Sequence, residues 1–204
     1  MAPPDLPQPR EPLTLDTVTF DTARFRYQGE EEHQRAWLTP DGDALTLLLF
    51  ARRPDLPEGA RNFFVLLDYY ERRLCSDTVS LVRFDLLEID GVRAVWTIIK
   101  ALQQPHGAAY LGSVTFPFAE FSYVLKMQCD ERGITGARET ALLVKALNEG
   151  KQPEDFDPED ERYDKLFPDH PLSRLRREFD ALQPTIRLDP RIKSSPPFTL
   201  PRGI

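Results

Sequence analysis

Apolar and polar positions alternate with period two through the middle of the chain. Alternation over 86–89 is followed by Asp90-Gly91 and resumes over 92–102. The pattern predicts a hairpin whose type I′ turn needs positive φ at both central residues. A second turn near Pro105-His106-Gly107 leads into a strand at 110–116, and Pro117-Phe118-Ala119 leads into another at 121–129. In that last strand Phe121, Tyr123, Leu125, Met127 and Cys129 alternate with Ser122, Val124, Lys126 and Gln128. One face is therefore expected to be apolar and the other wet or partly covered. With a strand at 79–89 before them, these segments form the expected platform of the fold.

Upstream, Val18, Phe20, Phe25 and Tyr27 are spaced as strand residues with a turn at Asp21-Thr22, and Glu30-Glu31-Glu32 reads as a solvated loop. A strand end at 36–38 and the turn Thr39-Pro40-Asp41-Gly42-Asp43 precede a nearly unbroken apolar run over 44–51. Such a run predicts a central strand covered on both faces.

The period then changes to helical. Phe63, Leu66, Leu67, Tyr70 and Leu74 form one stripe of a helix over 60–74 that should lie on the sheet. After Gly133, Thr135 is the expected N-cap of a helix to about 148, with Ala137, Ala141, Val144 and Leu147 at helical intervals and Gly150 as its stop. Pro171 opens a third helix through 182, with Leu172, Leu175, Phe179 and Leu182 on one stripe.

The element order predicts an α+β domain, an antiparallel sheet layered between helices. Three parts are expected. Residues 1–13, with Pro3, Pro4, Pro7, Pro9 and Pro12, read as an extended leader. Residues 14–150 form the domain, and 151–204 hold an acidic linker, the short helix and an extended proline-rich strap packing on the domain. The closing strand Tyr123-Val124-Leu125-Lys126-Met127-Gln128-Cys129, the Asp90-Gly91 hairpin and the order of helices resemble the PsbP-like superfamily. That superfamily includes photosystem extrinsic proteins, the fungal Ran-binding import factor Mog and bacterial chaperones of secreted toxins. The resemblance covers residues 15–149, implies an α/β/α sandwich that binds other proteins without catalysis, and transfers no binding residue to this chain.

Composition narrows the partners. A net charge of −7 over 204 residues and a pI near 5.1 repel a phosphate backbone, so no nucleic-acid partner is expected. The N-terminus lacks the basic and apolar regions of a secretory signal, and no apolar run approaches the roughly 20 residues of a membrane helix. A cytoplasmic protein without membrane contact is expected. Cys75 and Cys129 show no metal-ligand spacing, and in that compartment they are expected to stay reduced rather than pair.

Candidate chemistry is sparse. His33, His106 and His170 have no second ligand at helical or hairpin spacing, so neither metal nor cofactor is expected. Gly133-Ile134-Thr135-Gly136 matches a GxxG clamp but is flanked by Asp130 and Glu131, and reads as a turn with a helix cap. The alternating carboxylates from Asp155 to Glu161 lack the central glycine of a calcium loop. Arg174, Arg176 and Arg177 are expected to contact the acidic linker. The aromatic residues point to function more directly. Phe63, Phe64, Tyr69 and Tyr70 cannot all face inward on one helix, and Phe116, Phe118 and Phe121 crowd one turn. Phe64, Tyr69, Phe116 and Phe118 are therefore the candidate contacts for a protein partner. The expected function is a non-catalytic adaptor or chaperone-like module with a groove on the sheet or beside the 60–74 helix. Two alternatives stand beside it. One is a small-ligand enzyme using His106 with Tyr110 nearby; the other is a scaffold whose tails bind within a larger assembly.

Overall fold

The computed structural model describes residues 13–57, 62–103, 105, 107–150, 152 and 156–200. The expectations for the leader up to Pro12, for His106 and for Asp155 lie outside those residues. The elements are β1 (Val18–Thr19), β2 (Arg26–Glu31), β3 (Gln34–Leu38), β4 (Ala44–Phe50), α1 (Phe63–Leu74), β5 (Val79–Ile89), β6 (Val92–Leu102), β7 (Ala108–Pro117), β8 (Ser122–Asp130), α2 (Ala137–Asn148), α3 (Pro171–Leu182), β9 (Arg187–Leu188) and α4 (Pro190–Lys193). Seven strands form one antiparallel sheet in the order β2-β3-β4-β8-β7-β6-β5, and β1 pairs with β9 apart from it. The protein is an α+β fold.

Local chemistry accounts for the turns. Asp90 at φ 50° and Gly91 at φ 79° supply the positive φ pair that a two-residue I′ turn demands, setting Ile89 opposite Val92. Glu30 and Glu31 belong to β2 rather than to a loop, because the hairpin turn falls one step later and Glu31 pairs with Gln34.

Period two divides the sheet into unequal faces. On one, Leu45, Leu47, Leu125, Met127, Tyr110, Val114, Trp96 and Ile98 are buried in a single cluster with Leu172, Leu175, Phe179 and Leu182 of α3. Trp96 packs edge-on against Phe179 with ring centroids 4.2 Å apart. The tail adds Ile186, Leu188 and Ile192 to this same cluster. On the other face α1 seats Phe63, Leu66, Leu67 and Tyr70 against Phe84, Val95 and Leu86 of β5 and β6. Phe198 and Leu200 join them there, so the tail serves both faces. It enters by a bridge from Pro197 to Phe118 and is fixed where Arg93 Nη1 donates to Leu200 O at 2.9 Å. The expected strap is thus partly folded, with β9 and α4 inside it.

Three expectations are corrected. The run at 44–51 is buried on one side only; Leu45, Leu47 and Leu49 point into the core while Thr46, Leu48 and Phe50 keep some exposure. The N-cap of α2 is Gly136 at φ 70°, not Thr135: the Ala137 amide that a Thr135 cap would serve donates to Ile134 O at 3.3 Å, and Gly136 N donates to Glu131 Oε1 at 2.8 Å. Helix α2 also turns a different side inward: it buries Arg138, Leu142 and Ala146, whereas Val144 and Leu147 are half-exposed.

Arg138 explains that rotation. Its guanidinium donates to Pro158 O at 2.8 Å, Asp160 O at 3.0 Å, Asp164 Oδ1 at 2.8 Å and Ser173 Oγ at 2.8 Å, stapling the acidic segment and α3 to α2. The three arginines assigned to the acidic linker at 151–169 all reach it: Arg176 through Glu159 O and Asp164, Arg177 through Pro168 O, and Arg174 through Asp169 O. Arg174 is also buried against Asp43, and Arg177 also bonds Asp41.

Candidate functional site

The register assembles a surface from four strands that faces away from α3. Leu48 and Thr46 of β4 lie beside Val124 and Lys126 of β8. On their other side Val124 and Lys126 meet Thr115 and Ser113 of β7, and Ser113 meets Thr97 of β6. These side chains are half-buried apart from Thr97, which is buried and shares a 2.9 Å hydrogen bond with Ser113. Their surface mixes methyls, hydroxyls and one ammonium. Among the described residues the helix and tail segments on this side pack on β5 and β6.

Where the open surface meets α1, a cleft of about 210 Å³ is lined by Phe50, Pro54, Tyr70, Thr115 and Val124. Its wall is the 51–57 segment, held to α1 by two contacts: Tyr69 Oη donates to Asp55 O, and Arg73 Nη2 lies 2.6 Å from Asp55 Oδ2. Asn62 caps α1 by accepting from Phe64 N at 2.8 Å, and the rings of Phe63 and Tyr70 lie 5.2 and 5.1 Å from that of Phe84. Burial pushes the Tyr70 phenol well above its ordinary value, so it stays protonated at the cleft.

The candidate aromatic contacts separate. Phe64 stands on α1 with 62% of its surface exposed, next to half-exposed Val65. Tyr69 is half-buried and spends its hydroxyl on Asp55. Phe116 and Phe118 are not on the surface: both are buried in the main cluster, Phe118 stacked on Phe121 at 4.6 Å, because the crowded turn folds inward under the tail. Tyr110 is buried too, donating to Glu159 Oε1 at 3.3 Å beneath the acidic segment. His33 is exposed at the tip of the β2–β3 hairpin, and His170 caps α3. Cys75 is exposed and Cys129 buried, both as free thiols. The alternation along β8 was the signal for the open face, while its partners on β4 and β7 follow only from the register.

A second concavity, of about 530 Å³, lies at the opposite end of β4 and β8 from Lys126 and is lined mainly by Leu13, Ala51, Ala119, Phe121, Ile192 and Pro196. Three polar groups at its rim are already engaged: Thr17 Oγ1 donates to Thr14 O, Ser194 Oγ to Arg191 O, and Arg191 pairs with Asp189.

No family model matches this chain and no curated protein matches it. A crystal structure from Bacteroides thetaiotaomicron VPI-5482 aligns with 60% of this chain at 7% identity and a TM-score of 0.36. The alignment takes in 41% of that protein, so this chain spans about two-fifths of its length, and a likeness at this level supports no conclusion. No helix among the described residues is long and apolar enough to cross a membrane.

Proposed function

We propose that this protein is a non-catalytic binding module, of the adaptor or chaperone kind that the PsbP-like resemblance implies, and that it holds an extended segment or helix of a partner protein. The partner lies on the open sheet face beside α1. The observation that carries this reading is the unequal cover of the sheet: α3 and the tail seal one face, while Leu48, Val124, Thr115, Ser113 and Lys126 stay half-exposed on the other. A rigid antiparallel face with mixed apolar and hydroxyl side chains offers both contact area and hydrogen bonds, and the 210 Å³ cleft gives one anchoring side chain a seat.

The test is affinity enrichment from the native lysate with the wild type and two variants. The wild type should enrich one dominant protein. Val124→Arg with Thr115→Arg places two bulky charges on the open face and should abolish that enrichment with little change in melting temperature. Leu147→Arg, on the far side of α2, should leave it unchanged. Undiminished enrichment by the Val124/Thr115 variant would remove the sheet face as the binding surface.

A further inference from the structure

Away from the open face, one set of side chains has the composition of an ion site. Glu131 follows β8, Glu139 lies in the first turn of α2 and His170 caps α3; one ligand atom from each lies within 4.8 Å of the other two. They come from positions separated by eight and thirty-one residues, which is why no ligand spacing marks them in the sequence. The two glutamate side chains are held by hydrogen bonds. Glu131 accepts from Gly136 N at 2.8 Å through Oε1 and from Ala108 N at 3.1 Å through Oε2. Glu139 Oε1 accepts from Lys100 Nζ at 2.8 Å, but its Oε2 is buried with no hydrogen-bond partner among the described residues. His170 Nε2 is likewise buried with no hydrogen-bond partner among the described residues.

Buried polar atoms in native folds nearly always have partners, so a carboxylate oxygen and an imidazole nitrogen left over on two residues of one cluster call for a ligand. Capping does not account for His170. Asn, Asp and Ser are the favoured caps, and the contact from Leu172 N to His170 Nδ1 is long, at 3.3 Å. We propose that Glu131, Glu139 and His170 together bind one divalent transition-metal ion of the zinc class. Imidazole with two carboxylates suits such an ion, and three protein ligands leave a further position for water. Metal–ligand bonds of about 2.0–2.2 Å set tetrahedral ligand atoms about 3.5 Å apart, so from separations within 4.8 Å no pair need close in by more than about 1.3 Å on binding.

The protonation states fit. Burial, then the nearby Arg138, holds His170 down to about 4, so its ring is neutral at pH 7 as a ligand must be. Since Nδ1 accepts from Leu172 N, the imidazole proton sits on Nε2; binding through Nε2 moves it to Nδ1, with no net release from the ring and with loss of the long cap contact. Lys100 engages Glu139 Oε1 and leaves Oε2 for the ion. Bound there, the ion ties α2, which buries few residues of its own, to the start of α3 and the end of β8.

The experiment is calorimetric titration of the untagged, metal-free full chain at pH 7 with Zn²⁺, and with Co²⁺ followed by its visible absorption, using Mg²⁺ as the control ion. One equivalent of Zn²⁺ should bind and raise the melting temperature, and Co²⁺ should give a band that Zn²⁺ abolishes. His170→Asn keeps a good cap but removes the ligand, and Glu139→Gln removes the carboxylate charge. Each should weaken binding more than tenfold while the metal-free far-UV spectrum stays that of the wild type, and His33→Asn should bind as the wild type does. Absence of one-to-one binding by the wild type, full binding by His170→Asn, or loss of binding in His33→Asn would each overturn the proposal.

Discussion

Gly112 lies on β7 opposite Ile98, where Leu175 and Phe179 of α3 press on the sheet. A Cβ there would sit 2.8 Å from both Leu175 Cδ2 and Phe179 Cε2. Gly112→Ala should therefore destabilise the protein by about 1–3 kcal/mol, the usual range for overpacking, measured as a lower urea midpoint at unchanged slope. Asp43 is the corresponding polar case. It receives Arg174 Nε at 2.8 Å and Nη2 at 2.9 Å, and Arg132 Nη2 at 2.8 Å, with its own side chain 1% exposed. Asp43→Ala leaves the Arg174 charge buried without its carboxylate and should cost about 3–5 kcal/mol in the same assay. Glu178 has a different balance. Burial, only partly offset by Arg24 and Arg177, raises it above the ordinary carboxylate range, although Arg24 Nη2 lies 2.7 Å from Oε2. A raised folded-state pKa means that the native protein holds the proton more tightly than the unfolded chain. Its stabilising contribution is then complete below the unfolded carboxylate value and declines as pH rises through the folded value. Wild-type stability minus that of Glu178→Gln should accordingly fall between pH 4 and pH 7; a difference that grows with pH would contradict the raised value.

At the scale of elements, legibility depended on whether cover came from nearby or from far along the chain. The alternation and the Asp90-Gly91 turn are enough to bound β5 and β6 at Val79–Ile89 and Val92–Leu102, and helical spacing with Pro171 bounds α3 at Pro171–Leu182. These signals are local. Which side of β4 remains open is not local, since it depends on α1 and the tail settling over β5 and β6 instead. The inward side of α2 was misjudged because apolar spacing ranks Arg138 as a surface residue, whereas its four hydrogen bonds to the acidic segment and Ser173 make it the buried anchor. The open face was half legible, from the polar residues of β8; the crowding of Phe116 and Phe118 suggested a surface that the tail in fact covers. The tail's second role has a direct consequence. Phe198 is a packing partner of Leu66 and Phe84 under α1, so Phe198→Ala should cost about 3 kcal/mol and speed amide exchange in α1 more than in α3. Equal acceleration in both helices would mean that the tail does not support α1 separately.

At the scale of the whole molecule, the question is whether the two sides of the sheet unfold together. Trp37 on β3 and Trp96 on β6 are separated in the sheet by β4, β8 and β7, and each has its own aromatic neighbour: Phe20 at 5.2 Å for Trp37 and Phe179 at 4.2 Å for Trp96. Both nevertheless belong to one continuous cluster, joined through Leu45, Leu47, Leu125 and Met127 under α3. Strand β1, near the start of the described residues, pairs with β9, so these two distant segments are fastened to each other as well as to the core. Local opening of either side would expose part of that shared cluster without releasing the chain entropy of the other, which favours a single transition. Trp37→Phe and Trp96→Phe leave one reporter in each half of the strand order, both on the α3 face. Each variant's fluorescence transition in urea should coincide with its own far-UV transition. Comparable slopes for the two variants would show that each reporter follows the same cooperative unit. If the Trp37 reporter lost its fluorescence at lower urea than the far-UV signal of the same variant, β2 and β3 would form a separately opening unit, and the shared cluster under α3 would not be what couples the sheet.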